Sequence, residues 1–159
     1  MKKYELTAEF IEKWGKKLFR IKALISFGSV EAGKLGGYVE KEDNLAQDGD
    51  AWVCGNAEVY GDARVCGNAW VYGDADYLLI GRIGSRFSFT TFFKNKDKGI
   101  TVSCGCFLGT IAEFRAKVTD THGNNKHAKI YNLAADMAEL QILGEEHFDK
   151  LNTNKSEPF

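Results

Sequence analysis

The residues best equipped for chemistry lie in the second half of the chain. Cys104-Gly105-Cys106 is followed, after fifteen intervening residues, by His122 and His127, a C-x-C and H-x4-H pattern. Thiolates and imidazoles are the donors of tetrahedral zinc sites, but such sites place two or more residues between their cysteines so that the chain can wrap the metal. One residue intervenes here, inside a stretch that alternates like a strand, and this turns both thiols to the face of Val102. The pattern therefore reads as a small buried apolar face, and no metal is expected. A Cys104 or Cys106 nucleophile paired with a His would suit a cysteine hydrolase, but no oxyanion donors or third orienting residue accompany it. His122 beside Gly123 reads as the last residue of a helix, where the macrodipole favours it. Gly81-Arg82-Ile83-Gly84-Ser85-Arg86 could cradle a phosphate through backbone N–H groups and a guanidinium fork, or form a solvated loop. Asn124-Asn125-Lys126-His127, with Lys129 and Tyr131, offers a polar, partly basic surface able to bind an anion.

The elements that must position these groups are organised around Gly49 to Leu78. That stretch reads GDAWVC, GNAEVY, GDARVC, GNAWVY, GDADYL: consecutive hexads with Gly first, Asp or Asn second and Ala third. A strict period of six marks a structural repeat. Val53, Val59, Val65 and Val71 are expected inside, with Ala51, Ala57, Ala63, Ala69 and Ala75 at the corners, where Gly with Asp or Asn tolerates unusual dihedrals. Each hexad then makes one short strand and one turn, and three hexads make one coil of a triangular parallel β-helix. Residues 18 apart should stack, Trp52 over Trp70 and Arg64 over Arg82. The fourth and sixth hexad positions should point outward, which makes Trp52, Trp70, Tyr60 and Tyr72 surface aromatics.

The pattern resembles the left-handed hexapeptide-repeat β-helix proteins of the phage and prophage type, with repeats of the form GNAxVYGDAxV. The entry segment from Leu35 to Val53 matches how those proteins begin their helix, and Ile100 to Ala135 resembles a small domain of phage-associated proteins. The resemblance implies a mainly β fold, a short left-handed parallel β-helix of about three coils. It also implies a homotrimer with parallel axes. Acyltransferases among such proteins place a catalytic His at a coil or projecting loop, yet no His precedes His122 here.

Around the repeats, residues 1–28 are expected to form an N-terminal β-hairpin cap that turns at Trp14-Gly15-Lys16. Residues 29–86 form the β-helix, in which Val39 and Leu45 begin the inward column and Tyr77, Ile83 and Phe89 continue it. Residues 87–151 form a C-terminal α+β unit and 152–159 a flexible tail. In that unit FSFTTFF and ITVSCGCF pair as a hairpin about Lys94–Gly99. Thr110 and Glu113 open a helix as a capping box, and a second helix buries Tyr131, Ala134, Ala135, Ala138 and Leu140.

The 21 basic and 22 acidic residues leave a net charge of −1, so bulk charge points to neither a nucleic-acid polymer nor a membrane surface. The N-terminus lacks the apolar core of a secretion signal, and the four Cys occupy regular structural positions. Together these point to a reducing cytoplasm, which the phage-type resemblance implies is that of a bacterial host. The functional expectation is a non-enzymatic homotrimeric phage-type binding protein. It would take up a planar, phosphate-bearing, nucleotide-like signal and so counter host defence. Its ligand-binding set is Trp52, Tyr60, Arg64, Trp70, Tyr72, Arg82, Arg86, Lys126 and His127, with no catalytic residue and no cofactor. The rivals are an acyltransferase-like enzyme and a protein that blocks a host defence protein through its Trp face.

Overall fold

The computed structural model describes residues 1–73 and 76–155, the last five by backbone alone; Ala75 of the final hexad lies outside them. β1 (Tyr4–Lys13) and β2 (Lys16–Ala23) form the N-terminal hairpin, turning at Trp14 and Gly15 with positive φ at both. In β2 Ile21 and Ala23 are buried while Lys22 is exposed, the alternation of a strand with one face on a core. β3 (Leu35–Val39) pairs antiparallel with β2, and its other edge pairs parallel with β5 (Glu58–Val59). β4 (Trp52–Val53) and β6 (Trp70–Val71) form a separate two-stranded parallel sheet, with Trp52 opposite Trp70 and Val53 opposite Val71. The expected 18-residue spacing therefore holds for that pair.

The left-handed parallel β-helix does not form. Among the described residues, parallel pairing is confined to β3 with β5, β4 with β6, and one bridge between Leu45 and Val65. No stack of coils closes, and the other sheets are mixed or antiparallel. Two causes are visible. Hexad strands of two residues leave little edge for parallel ladders to propagate, and longer antiparallel strands occupy the flanks. The N-terminal hairpin does not cap an axis; it supplies β2 as the antiparallel neighbour of β3. After the repeats, β7 (Tyr77–Ile83) pairs antiparallel with β8 (Ser88–Lys94), so Arg82 does not stack on Arg64. The parallel-axis homotrimer, implied only by the β-helix family, loses its structural premise.

What the period of six does set is burial. Val39, Val53, Val59 and Val71 are fully buried, Leu45 and Val65 nearly so, and Ala51, Ala57, Ala63 and Ala69 lie between them. Gly37 shows why the packing is close: a Cβ there would lie 2.5 Å from the Ala57 carbonyl oxygen.

β8, β9 (Ile100–Cys104) and β10 (Phe107–Thr110) continue the antiparallel sheet. The expected hairpin forms here, but it ends in a turn at Gly105 that leads straight into β10. Cys104 closes β9 and Cys106 sits exposed in that turn, so the two thiols do not share a buried face. α1 (Ile111–His122) starts at Thr110, whose hydroxyl accepts from the Glu113 N–H while the Glu113 carboxylate accepts from the Thr110 N–H. α2 (Lys126–Ala138) buries Tyr131, Ala134, Ala135 and Ala138. Leu140 is 43% exposed, contrary to expectation. It lies about 200° round the helix from Ala138, on the opposite side. A π-helical turn over Glu139–Leu143 buries Ile142 instead, and α3 (Glu145–Lys155) follows. Among the described residues no helix is long and apolar enough to cross a membrane.

Strand β8 is the wall between two cores. Phe93 packs with the hexad valines and Trp52, while Phe92, one residue away and on the opposite face, packs with Phe114, Tyr131 and the α2 alanines. Side chains at 91, 93, 101 and 103 thus face the repeats, and those at 90, 92, 102 and 104 face the helices.

Candidate functional site

The seam between the repeats and the β7–β10 sheet is anchored at two points. At one end Ala69 bridges Asn95 antiparallel; at the other the Arg64 N–H donates to Thr91 Oγ1 at 3.2 Å. A cleft opens beside each anchor.

The cleft beside Asn95 has a volume of about 480 Å³ and is lined by Trp70, Tyr72, Lys94, Lys96 and Lys98 with Ser29 at its rim. Trp70 and Tyr72 stand two apart around buried Val71, so both rings lie on the outer side; their centroids are 5.8 Å apart at 59°. The Asp76 carboxylate fixes this segment by accepting from the Tyr72 and Gly73 N–H groups at 2.9 and 3.1 Å. The lysines come from the β8–β9 turn, which buried Asn95 holds rigid. Its side-chain oxygen accepts from the Asp97 and Gly99 N–H groups, each at 3.0 Å, and its amide donates to Thr101 Oγ1 at 3.1 Å. Lys96 Nζ lies 5.9 Å from the Trp70 centroid and 3.3 Å from Asp50, and Lys94 lies 4.0 Å from Asp76. Two aromatic faces thus stand against three cations, a composition suited to a flat ring carrying negative charge.

The expected binding residues do not converge here as a set. Trp70 and Tyr72 do. Trp52 is not a surface aromatic: it is 1% exposed, covered by Tyr4 and Phe27 with ring centroids 6.4 and 5.3 Å away. The N-terminal segment folds over it, which the hexad pattern alone does not encode. Tyr60 lies under the hairpin tip, 5.5 Å from Trp14. Arg64 lines the cleft at the other anchor. Arg82 is exposed on β7. The Gly81–Arg86 segment does not offer an open cradle at Gly84, because a Cβ there would fall 1.8 Å from the Tyr131 hydroxyl. Lys126 and His127 open α2; the His127 ring is 5.5 Å from His122, which stacks on Tyr131 at 5.8 Å. Lys94, Lys96 and Lys98, which line this cleft, fall in the polar turn of the expected hairpin and are not singled out by the sequence reading, although their alternation over Lys94-Asn95-Lys96-Asp97-Lys98 is a usable signal.

Burial pushes the Cys54 thiol up to about 11, and burial also raises Cys66. The Thr90 hydroxyl donates to Cys104 Sγ at 3.2 Å. Among the described residues no three His, Cys, Asp or Glu side chains gather as a metal site.

No protein-family model matches this chain and no curated protein matches it significantly, so neither the hexapeptide-repeat, phage-type resemblance nor the anti-defence role that followed from it is supported.

Proposed function

We propose that the chain is a binding protein for a planar small molecule carrying phosphate or similar anionic groups, taken up in the Trp70–Tyr72 cleft. The observation that carries this reading is the meeting of two outward aromatic rings with Lys94, Lys96 and Lys98 across one cleft. The ring of the ligand lies against Trp70 and Tyr72, and its anionic group reaches the lysine turn. The asparagine-held turn supports the reading because donors fixed beforehand lose little entropy on binding. Stacking on one aromatic side chain is worth about 1–3 kcal/mol per base.

Calorimetry with a nucleoside 5′-monophosphate, the matching nucleoside and inorganic phosphate tests it. The nucleotide should bind at least about tenfold more tightly than either fragment, a difference of about 1.4 kcal/mol. Tyr72→Ala and Lys96→Ala should each weaken it by a similar factor, with the folded spectrum unchanged. Equal binding of nucleotide and phosphate, or indifference to both substitutions, would remove this cleft from consideration.

A further inference from the structure

We propose that the cavity beside Arg64 is a second and separate binding site, for a zwitterionic molecule of amino-acid size. Arg64 takes its carboxylate and Asp62 its ammonium group. The cavity is about 280 Å³ and is lined by Asp62, Arg64, Ser88, Phe89, Thr91 and Ser103. It lies at the opposite end of the seam from the Trp70 cleft and shares no lining residue with it.

The strand register builds this site. Ala63 is 1% exposed and packs into the repeat core, so Asp62 and Arg64, on either side of it, are both exposed at the surface. Across the seam, Thr91 and Ser103 are register partners on β8 and β9 and present hydroxyls on the face toward the repeats. The bond from the Arg64 N–H to Thr91 Oγ1 fixes the backbone at the site without using the guanidinium. Asp62 and Arg64 border one cavity with opposite charges, yet among the described residues no ion pair joins them or engages either one. Two opposite charges held apart at one cavity match a ligand that carries both.

Size and surroundings narrow the class further. The volume is at the lower bound of ordinary small-molecule pockets, about 300 Å³, which suits a metabolite rather than a polymer. Phe89, 36% exposed, gives the cavity an apolar wall. An adjoining cavity of about 490 Å³ shares Arg64 and Ser103 and gives a side chain room to extend. The guanidinium offers a planar fork of donors that fits a carboxylate in two bonds.

The test uses the full-length chain, labelled with nitrogen-15, titrated with the free protein amino acids and with the N-acetyl and amide derivatives of any that bind. At least one free amino acid should shift the Arg64, Thr91 and Ser103 amide signals while leaving those of Trp70 and Lys96 in place. Its N-acetyl and amide derivatives should each bind at least about tenfold more weakly. Arg64→Gln should abolish the shifts, and Asp62→Asn should make the free and N-acetylated forms equal. If no amino acid shifts these signals at millimolar concentration, or if the derivatives bind as well as the free form, the proposal falls. Because this titration uses amino acids and reads Arg64, Thr91 and Ser103, while the Trp70 cleft is tested with a nucleotide, failure here and failure there are told apart.

Discussion

The repeat-bearing half of the molecule ties its corners with Lys3, and the helical half ties its layers with Arg115. Lys3 is 2% exposed and donates to the carbonyl oxygens of Ala51, Gly49 and Asp48 at 2.8, 3.3 and 3.5 Å. Burial lowers it from 10.5 to about 8, against the opposing pull of Asp48 and Asp50. Burial also works against Arg115, but its hydrogen bonds to Glu139 and Asp136, both 2.7 Å, outweigh that and raise it above its ordinary value. The contrast follows from backbone accounting. Two-residue strands joined by corners leave carbonyls without ladder partners, and a lysine can collect several of them. Helices satisfy their backbone internally, so α1 and α2 are joined through side-chain charges instead.

The largest effect should come from breaking the second tie. Arg115→Ala leaves Glu139, 4% exposed, buried without its cation and should cost about 3 kcal/mol, read as a lower urea midpoint with unchanged slope. Arg115→Lys should recover only part of this, because the guanidinium holds Asn132 through Nη1 while Nη2 serves both carboxylates, and a single ammonium cannot span the two positions. A loss below about 1 kcal/mol would mean that Glu139 finds another partner or takes up a proton.

Overpacking the first half should cost somewhat less. Gly37→Ala places a methyl 2.5 Å from the Ala57 carbonyl oxygen and 2.7 Å from Val53 Cγ1, and should destabilise by about 1–3 kcal/mol. The loss should appear first in amide exchange of Tyr38 and Glu40, whose N–H groups donate to Ala57 and Val59. Protection lost equally over α1 and α2 would show that the two cores unfold as one unit.

A third test sharpens the comparison through pH. Lys3 titrates near 8 when folded and near 10.5 when unfolded, so between these values the unfolded chain holds more protons at this site. Its contribution to stability therefore rises with pH across that window and is level below it. Any advantage of Lys3→Met over the parent protein at pH 7 should shrink as pH approaches 10. A difference that stays constant from pH 7.5 to 10 would show that the buried amine does not titrate there. Arg115 should produce no such slope.

These ties bear on what the sequence discloses. The N-terminal hairpin, the burial of the hexad valines and alanines, the Thr110–Glu113 cap and the inner face of α2 through Ala138 are all legible, because each depends on spacing within a few residues. Lys3 gives no such signal, since its acceptors lie more than forty residues away. Of the candidate clefts, the Trp70–Tyr72 pair and the Asp62–Arg64 pair can be read from alternation about a buried residue. That the lysine turn stands opposite the first pair, and the hydroxyls of Thr91 and Ser103 opposite the second, cannot.

The sequence by itself determined that the valines and alanines of the repeats face inward, since a period of six with Val in the fifth place of four of the five hexads leaves little choice of inner face. It did not determine which strands become neighbours. Only the tertiary structure decided that parallel pairing stops at short ladders, that Trp52 disappears beneath Tyr4 and Phe27, and that β8 divides Phe92 from Phe93 between two cores. The reason is that periodicity fixes the direction of a side chain relative to its own strand. Pairing and register depend instead on competition among all available edges, and here the long antiparallel strands on either flank prevailed over the two-residue units between them.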